Sequence, residues 1–204
     1  MRIGLVAEPW WVNLAILVPV AAYFFWRRSS IPITASQLIV VAVFASAFGF
    51  VEAAAVVYLR AASGLLPGYQ GTLSDVVRLT PQSQPIAISE LPPSLFGLEV
   101  IREAATLLML LSVALLTPVR ARGRVAVFLW AFAIWDAVYY ASLWATIRWP
   151  HSITDRDVLF LIPEPWFAPV WFPLLVCALT VLAVLLTRAS PPSANFSERI
   201  FEGP

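Results

Sequence analysis

The stretch Leu95 to Thr117, LFGLEVIREAATLLMLLSVALLT, decides the architecture of this chain. Its length and its apolar second half are typical of a helix that crosses a bilayer, yet its first half carries Glu99, Arg102 and Glu103. Insertion scales put the cost of each ionised group at the centre of a bilayer at about 2.5–3.5 kcal/mol. We therefore expect these three side chains to be neutralised by each other or by groups on other helices.

The amino-acid composition indicates a membrane protein. Of the 204 residues, 60% are hydrophobic and 12% are charged, whereas soluble domains have about 25% charged residues. The net charge of +1 and the lack of a basic stripe give no indication of nucleic-acid binding. The length predicts one domain, residues 1–187, followed by a polar cytoplasmic tail at 188–204.

The apolar runs predict an all-α membrane protein with five transmembrane helices and a short re-entrant or interfacial half-helix. The half-helix is the apolar piece from Asp157 to Pro163, which is too short to span. A capping box formed by Thr34 and Gln37 marks the start of the second helix. Small residues every four positions within that helix, at 45, 49 and 53, predict close packing against another helix. The predicted spans are 10–27, 35–60, 95–117, 125–148 and 166–187, with outer loops at 61–94 and 149–165.

The distribution of arginines predicts the orientation in the membrane. Cytoplasmic loops carry an excess of basic residues close to the ends of the spans. The tight arginine clusters therefore mark the cytoplasmic side, which places the N-terminus outside, the C-terminus inside and both long loops outside. These clusters consist of Arg27, Arg28, Arg120, Arg122, Arg124 and Arg188.

Carboxylates on three of the predicted spans lie at comparable depths. Glu52 and Glu103 are each eight residues from the outer end of their helix, which places them ~12 Å below the outer surface at ~1.5 Å per residue. Asp136 lies ~18 Å deep, and Glu99 is one turn from Glu103 on the same face. We therefore predict one shared polar site made of Glu52, Glu99, Glu103 and Asp136, with Arg102 orienting the carboxylates.

These four carboxylates and one arginine leave surplus negative charge if every group is ionised. Protonation of some carboxyls, a bound cation or water from the outer side could each remove that surplus. Protonation suits proton transfer, and oxygen ligands favour a hard divalent cation such as Mg²⁺, Ca²⁺ or Mn²⁺. Haem held by two histidines is excluded because the chain has one histidine, His151.

Four further residues are candidate accessories to the site: Tyr139, Tyr140, His151 and Asp157. The simplest interpretation of the two tyrosines is packing and hydrogen bonding beside the acidic group. Asp157 also fits an N-cap of the predicted half-helix. His151 lies in the outer segment, where it is either solvated or able to close over the cluster.

The C-terminal third of the chain resembles a known group of proteins. The segments Trp135-Asp-Ala-Val-Tyr-Tyr140, Trp149-Pro150 and Leu161-Ile-Pro-Glu-Pro-Trp166 are similar to uncharacterised bacterial multi-pass membrane proteins. The resemblance implies a location in the bacterial inner membrane and transfers no activity or site residue.

The chain also has no phosphate-binding glycine loop, GxSxG, HExxH or CxxC motif, so the sequence assigns no reaction.

Two functions are consistent with these features. The first is an integral membrane protein whose buried carboxylate cluster opens to the extracytoplasmic side and binds a cation or relays protons. The alternative is an accessory subunit of a larger membrane complex, or a homo-oligomer, whose buried charges only determine helix packing. The lipid bilayer is the expected partner in both cases.

Overall fold

The computed structural model describes residues 6–62 and 93–188. The predicted loop 61–94 and the predicted tail 188–204 therefore lie almost entirely outside the described residues. A short 3₁₀ helix, Trp10–Ile16, leads directly into helix α1, Leu17–Trp26. The remaining elements are α2 (Ala35–Ala62), α3 (Pro93–Leu116), α4 (Ala121–Ile147), β1 (Arg156–Phe160), β2 (Trp166–Pro169) and α5 (Trp171–Thr187).

Helix α4 lies at the centre of the fold, because α2, α3 and α5 all pack against it. Trp130 of α4 donates its indole N–H to the Leu38 carbonyl of α2 over 3.0 Å. The predicted small-residue pattern on α2 is confirmed, since Ala45 and Ala53 are buried and Gly49 faces the backbone of α4. Small side chains let the two helix backbones approach closely, and this contact positions the second half of α2 beside α4.

The start of α2 has the capping box that the sequence predicts. The backbone N–H of Thr34 donates to Gln37 Oε1 over 2.9 Å, and the N–H of Gln37 donates to Thr34 Oγ1 over 3.2 Å. The first turn of a helix leaves its backbone donors without intrahelical partners, and this reciprocal pair satisfies two of them.

A two-stranded antiparallel sheet occupies the region where the sequence predicts helix. Strand β1 pairs with β2, with Asp157 opposite Ala168 and Val158 opposite Phe167, and Glu8 exchanges two backbone hydrogen bonds with Phe167. The all-α prediction and the predicted half-helix from Asp157 are therefore wrong. Periodicity does not distinguish a short apolar strand from a short apolar helix, and the pairing partner lies beyond the next turn.

The prediction of five transmembrane helices is also wrong. Within the described ranges, two helices are long and apolar enough to cross a membrane, Ala35–Tyr58 and Ala121–Ile147. The first predicted span is divided into a 3₁₀ helix of 7 residues and an α-helix of 10 residues. Helix α5 begins at Trp171 because β2 precedes it, and its 17 residues extend ~25 Å, short of the ~30 Å hydrocarbon core. Helix α3 is long enough, but its charges at Glu99, Arg102 and Glu103 make its first half polar.

Candidate functional site

A small cavity lies between α2, α3, α4 and β1. Its volume is about 50 Å³, which holds a few water molecules or one ion and is far below the ~300–1,000 Å³ of pockets for organic ligands. The cavity therefore suits chemistry with protons, water or a small ion. Its ionisable lining residues are Glu52, Arg102, Glu103, Asp136, Tyr139, Tyr140 and Asp157.

Arg102 binds two carboxylates that come from different helices. On α3, its NH2 donates to Glu99 Oε2 over 2.7 Å, and its Nε lies 3.0 and 3.2 Å from the two Glu99 oxygens. Its NH1 forms an ion pair with Glu52 on α2, and Thr106 Oγ1 donates to the other Glu52 oxygen over 3.1 Å. One guanidinium is thus shared between two buried carboxylates, and it joins α3 to α2.

Glu103 binds the hairpin rather than Arg102. Its Oε2 accepts a hydrogen bond of 2.8 Å from the backbone N–H of Leu161, which directly follows β1. The Glu103 carboxylate is buried, with 8% of the residue exposed. The bond ties the sheet to α3 at the edge of the cavity, so that the hairpin and the helix enclose it together.

Two further buried carboxylates accept hydrogen bonds from neutral side chains. Tyr140 donates its hydroxyl to Asp157 Oδ2 over 2.8 Å, and Cys177 Sγ lies 3.3 Å from Asp136 Oδ2. Asp157 is 2% exposed and Asp136 is 9% exposed. Arg102 is the one cationic side chain in the described part of the cavity lining. It already forms ion pairs with Glu52 and Glu99.

Trp135 also lines this cavity. Its ring lies parallel to that of Tyr139, with centroids 6.2 Å apart, and only 5% of the residue is exposed. Its indole N–H has no hydrogen-bond acceptor among the residues of 6–62 and 93–188. Leaving a buried donor unsatisfied costs about 1–3 kcal/mol, and Trp135 is among the residues that line the cavity.

The structure brings most of the predicted site residues to this cavity, although not as one cluster. Glu52, Glu103 and Asp136 line it together with Arg102, whereas Glu99 lies outside the lining and is bound to the same arginine. The described residues contain no group of three or more His, Cys, Asp or Glu side chains arranged to hold a metal ion.

The candidate accessory residues divide into two sets. Tyr139, Tyr140 and Asp157 line the cavity. His151 lies in an exposed turn, where its backbone N–H donates to Asp155 Oδ2 over 2.8 Å, and it is not part of the lining. The predicted helix cap at Asp157 is wrong, because this residue lies in β1 and Asp155 accepts the backbone hydrogen bonds of the turn instead.

Three contributors to the site were missed by the sequence analysis: Thr106, Cys177 and the backbone N–H of Leu161. Thr106 follows Arg102 by four residues, so helical spacing could have placed both on one face. Cys177 and Leu161 carry no such signal. Each reaches its carboxylate across a large separation in the chain, 41 residues for Cys177 to Asp136 and 58 for Leu161 to Glu103.

In comparisons with known proteins, no family model, no curated protein and no solved structure matches this chain.

The hydrogen bond from Tyr140 to Asp157 gives a first test of the cavity's geometry. Replacing Tyr140 with Phe should lower the free energy of unfolding by about 1.5 kcal/mol, because the buried carboxylate loses a hydroxyl donor. Denaturant unfolding of the purified protein in detergent measures the change. Tyr58→Phe is the matched control, because Tyr58 is 72% exposed and its loss of a hydroxyl should change stability by less than about 0.5 kcal/mol. Equal effects of the two variants would contradict the assignment.

Proposed function

We propose that this chain is a bacterial inner-membrane protein whose hydrated, carboxylate-lined cavity binds protons and relays them from the extracytoplasmic side. One observation carries the proposal: buried carboxylates from α2, α3, α4 and β1 line one cavity whose described lining has a single cation, already engaged by Glu52 and Glu99. The carboxylates that remain, Glu103, Asp136 and Asp157, are the proposed proton carriers.

The surface of the helices supports a location in the membrane. Polar and charged groups are buried around the cavity, whereas large apolar side chains face outward along α2, α3 and α5. Soluble monomers rarely expose contiguous apolar patches larger than a few hundred Å², and such a surface is stable in hydrocarbon. Examples, with their exposed fractions, are Ile39 (62%), Val43 (66%), Leu108 (62%), Leu182 (51%) and Leu186 (70%).

The hydrogen-bonding requirements of the cavity favour water and protons over a bare cation. Trp135, Glu103 and Asp136 all line the cavity, so a molecule bound among them would be offered an indole N–H donor and carboxylate acceptors. A water molecule can accept from the donor and donate to the acceptors, whereas a metal ion neutralises carboxylates but cannot accept a hydrogen bond. Carboxyls joined by water in a cavity of this size form a path along which a proton can move without a large organic substrate.

Proton flux into liposomes tests the proposed relay directly. Wild-type protein is reconstituted with a pH-sensitive dye inside the vesicles, and a potassium diffusion potential drives proton entry. Glu103→Gln should slow the flux by on the order of 100-fold, because the amide oxygen can still accept the Leu161 hydrogen bond but cannot carry a proton. Loss of folding in this variant without a separate flux defect would favour a structural role.

The matched control for the flux experiment is Glu8→Gln. Glu8 is an exposed carboxylate near the hairpin and is not part of the cavity lining, so the flux of this variant should equal that of wild type. Equal fluxes in all three proteins would contradict the proposal. Elemental analysis of the purified protein, with and without a chelator, serves as a second arm, because a stoichiometric divalent metal would support cation binding instead of proton relay.

A second candidate function, an accessory subunit of a larger membrane complex, is favoured by the ion pair between Arg102 and Glu52. This pair joins α3 to α2, and buried ion pairs can serve to specify one arrangement of helices. Purification in mild detergent distinguishes the candidates. A partner that co-purifies in stoichiometric amount would support the subunit, and a stable single-chain species would count against it.

A further inference from the structure

Among the described residues, 6–62 and 93–188, one end of the protein is basic and has no acidic side chain. The end of α1, the start of α4 and the end of α5 meet there: Arg122 NH2 donates to the Phe25 carbonyl over 2.5 Å, and the Ile31 N–H donates to the Thr187 carbonyl over 2.9 Å. The segments that build this end, residues 9–51, 104–135 and 165–188, contain no Asp or Glu. We call the exposed cations Arg27, Arg28, Arg120 and Arg124 the arginine face.

The arginine face has no counter-ion in the described part of the chain. Within the described residues, the arginines that form ion pairs are Arg102 and Arg156, and both lie outside the arginine face. Four guanidinium groups at one end of a protein create a positive potential that attracts anions. Guanidinium groups also match phosphate oxygens geometrically, since their planar donors can bind two oxygens at once.

Exposed aromatic rings lie next to these cations. Phe24 is 54% exposed and Phe25 is 68% exposed. The guanidinium of Arg27 lies 4.9 Å from the centroid of the Phe24 ring, and that of Arg122 lies 4.7 Å from the Phe25 ring. Arg122 also binds Ser29 Oγ, which holds the end of α1 against the start of α4. The surface therefore presents apolar rings and cations side by side, as at the boundary between acyl chains and headgroups.

We propose that the arginine face binds the headgroup phosphate of an anionic phospholipid, with Phe24 and Phe25 against the first carbons of its acyl chains. The proposal rests on the membrane location proposed above. A lipid is the occupant because a free phosphate would engage the arginines and leave the two exposed rings in water. The site holds the arginine-rich end in an anionic leaflet, which is the cytoplasmic leaflet of the predicted orientation.

Lipid binding by the full-length protein in mild detergent tests the proposal, with native mass spectrometry counting the bound lipids. Wild type should retain phosphatidylglycerol in preference to phosphatidylcholine, and added salt should weaken that retention because exposed charges are screened. The double variant Arg27→Gln/Arg28→Gln should bind phosphatidylglycerol at least about tenfold more weakly, since each arginine near an anionic surface contributes on the order of fivefold.

The control variant is Arg148→Gln. Arg148 lies over the Trp144 ring at 4.9 Å at the opposite end of α4, so it reproduces the cation and ring pair without the other arginines. Its affinity for phosphatidylglycerol should equal that of wild type. Equal retention of the two lipids by wild type, an equal loss in Arg148→Gln, or full displacement of the lipid by millimolar inorganic phosphate would overturn the proposal.

The experiment distinguishes failure of the proposed lipid site from failure of the proposed membrane location. Wild-type protein that is monodisperse in buffer without detergent would contradict the membrane location. Protein that requires detergent but shows no preference for phosphatidylglycerol would contradict the lipid site alone. If the double variant does not fold, the preference of wild type and its dependence on salt still decide the question.

Discussion

Replacing Arg102 with Met should lower the free energy of unfolding by about 3–5 kcal/mol, because it leaves buried carboxylates without their cation. Glu52 and Glu99 are 7% and 9% exposed, and Arg102 forms ion pairs with both. Denaturant unfolding in mixed micelles, followed by the fluorescence of the tryptophans, measures the loss. The effect is the largest we expect from a single substitution in this chain.

Two companion variants show that the loss comes from the uncompensated charges. The triple variant Arg102→Met/Glu52→Gln/Glu99→Gln removes the cation together with both charges and should recover most of the stability, because neutral groups replace buried ions at little net cost. Arg124→Met removes an exposed arginine and should change stability by less than about 0.5 kcal/mol. An effect of Arg102→Met no larger than that of Arg124→Met would show that the pairs do not stabilise the fold.

The triple variant also tests whether the ion-paired carboxylates belong to the proposed proton pathway. Its remaining cavity carboxylates are Glu103, Asp136 and Asp157, the proposed proton carriers. If the refolded triple variant still conducts protons, the ion pairs only stabilise the fold, and Glu103, Asp136 and Asp157 carry the flux. If conduction is lost while folding is restored, the pathway includes at least one of the three replaced groups, Glu52, Glu99 or Arg102.

Gly49→Ala should lower the free energy of unfolding by about 3 kcal/mol, at the severe end of the range for overpacked interiors. A Cβ atom at this position would lie 2.5 Å from the Trp135 carbonyl oxygen and 3.3 Å from the Tyr139 backbone N. These are backbone atoms of α4, so relief requires α2 to move away from α4. Glu52, three residues later on α2, would move with it and lose its position beside Arg102.

Gly97→Ala is the matched control on α3. A Cβ atom at Gly97 would have no neighbour within 4 Å, and alanine is better than glycine within a helix by up to about 1 kcal/mol. This variant should therefore be as stable as wild type or slightly more stable. Denaturant unfolding and proton flux are measured on both variants. A Gly49→Ala protein that unfolds like Gly97→Ala would contradict the close contact between α2 and α4.

The parts of the fold that the sequence predicts correctly depend on local spacing. Helices α2 and α4 show as long apolar runs, and the capping residues Thr34 and Gln37 lie three positions apart. The small-residue pattern of α2 is periodic in the same way, with Ala45 and Ala53 one turn to either side of Gly49. Such features involve residues within one or two helical turns, so the sequence alone contains the information.

The incorrect predictions arise where distant segments determine the structure. The run from Val158 to Ile162 is apolar and short, so either a strand or a helix fits it. Its first three residues, up to Phe160, belong to strand β1 because Trp166–Pro169 returns beside them and Glu8 pairs with the far side of β2. The same pairing delays the start of α5 to Trp171, and this shortening is one reason that the prediction of five transmembrane helices fails.

By itself, the sequence predicted that acidic groups on separate helices come together, because their levels follow from the number of residues along each helix; the structure places Glu52, Glu103 and Asp136 in the lining of one cavity. The sequence also determined that arginine clusters lie at the ends of the apolar runs, at residues 27–28 and 120–124. Only the tertiary structure decided which partner each carboxylate has: Arg102 for Glu52, Leu161 N–H for Glu103, and Tyr140 for Asp157. Except for Tyr140, these partners lie 50 or more residues away along the chain. Their contacts depend on how helices rotate and pack against one another, a property of the whole fold and not of local spacing.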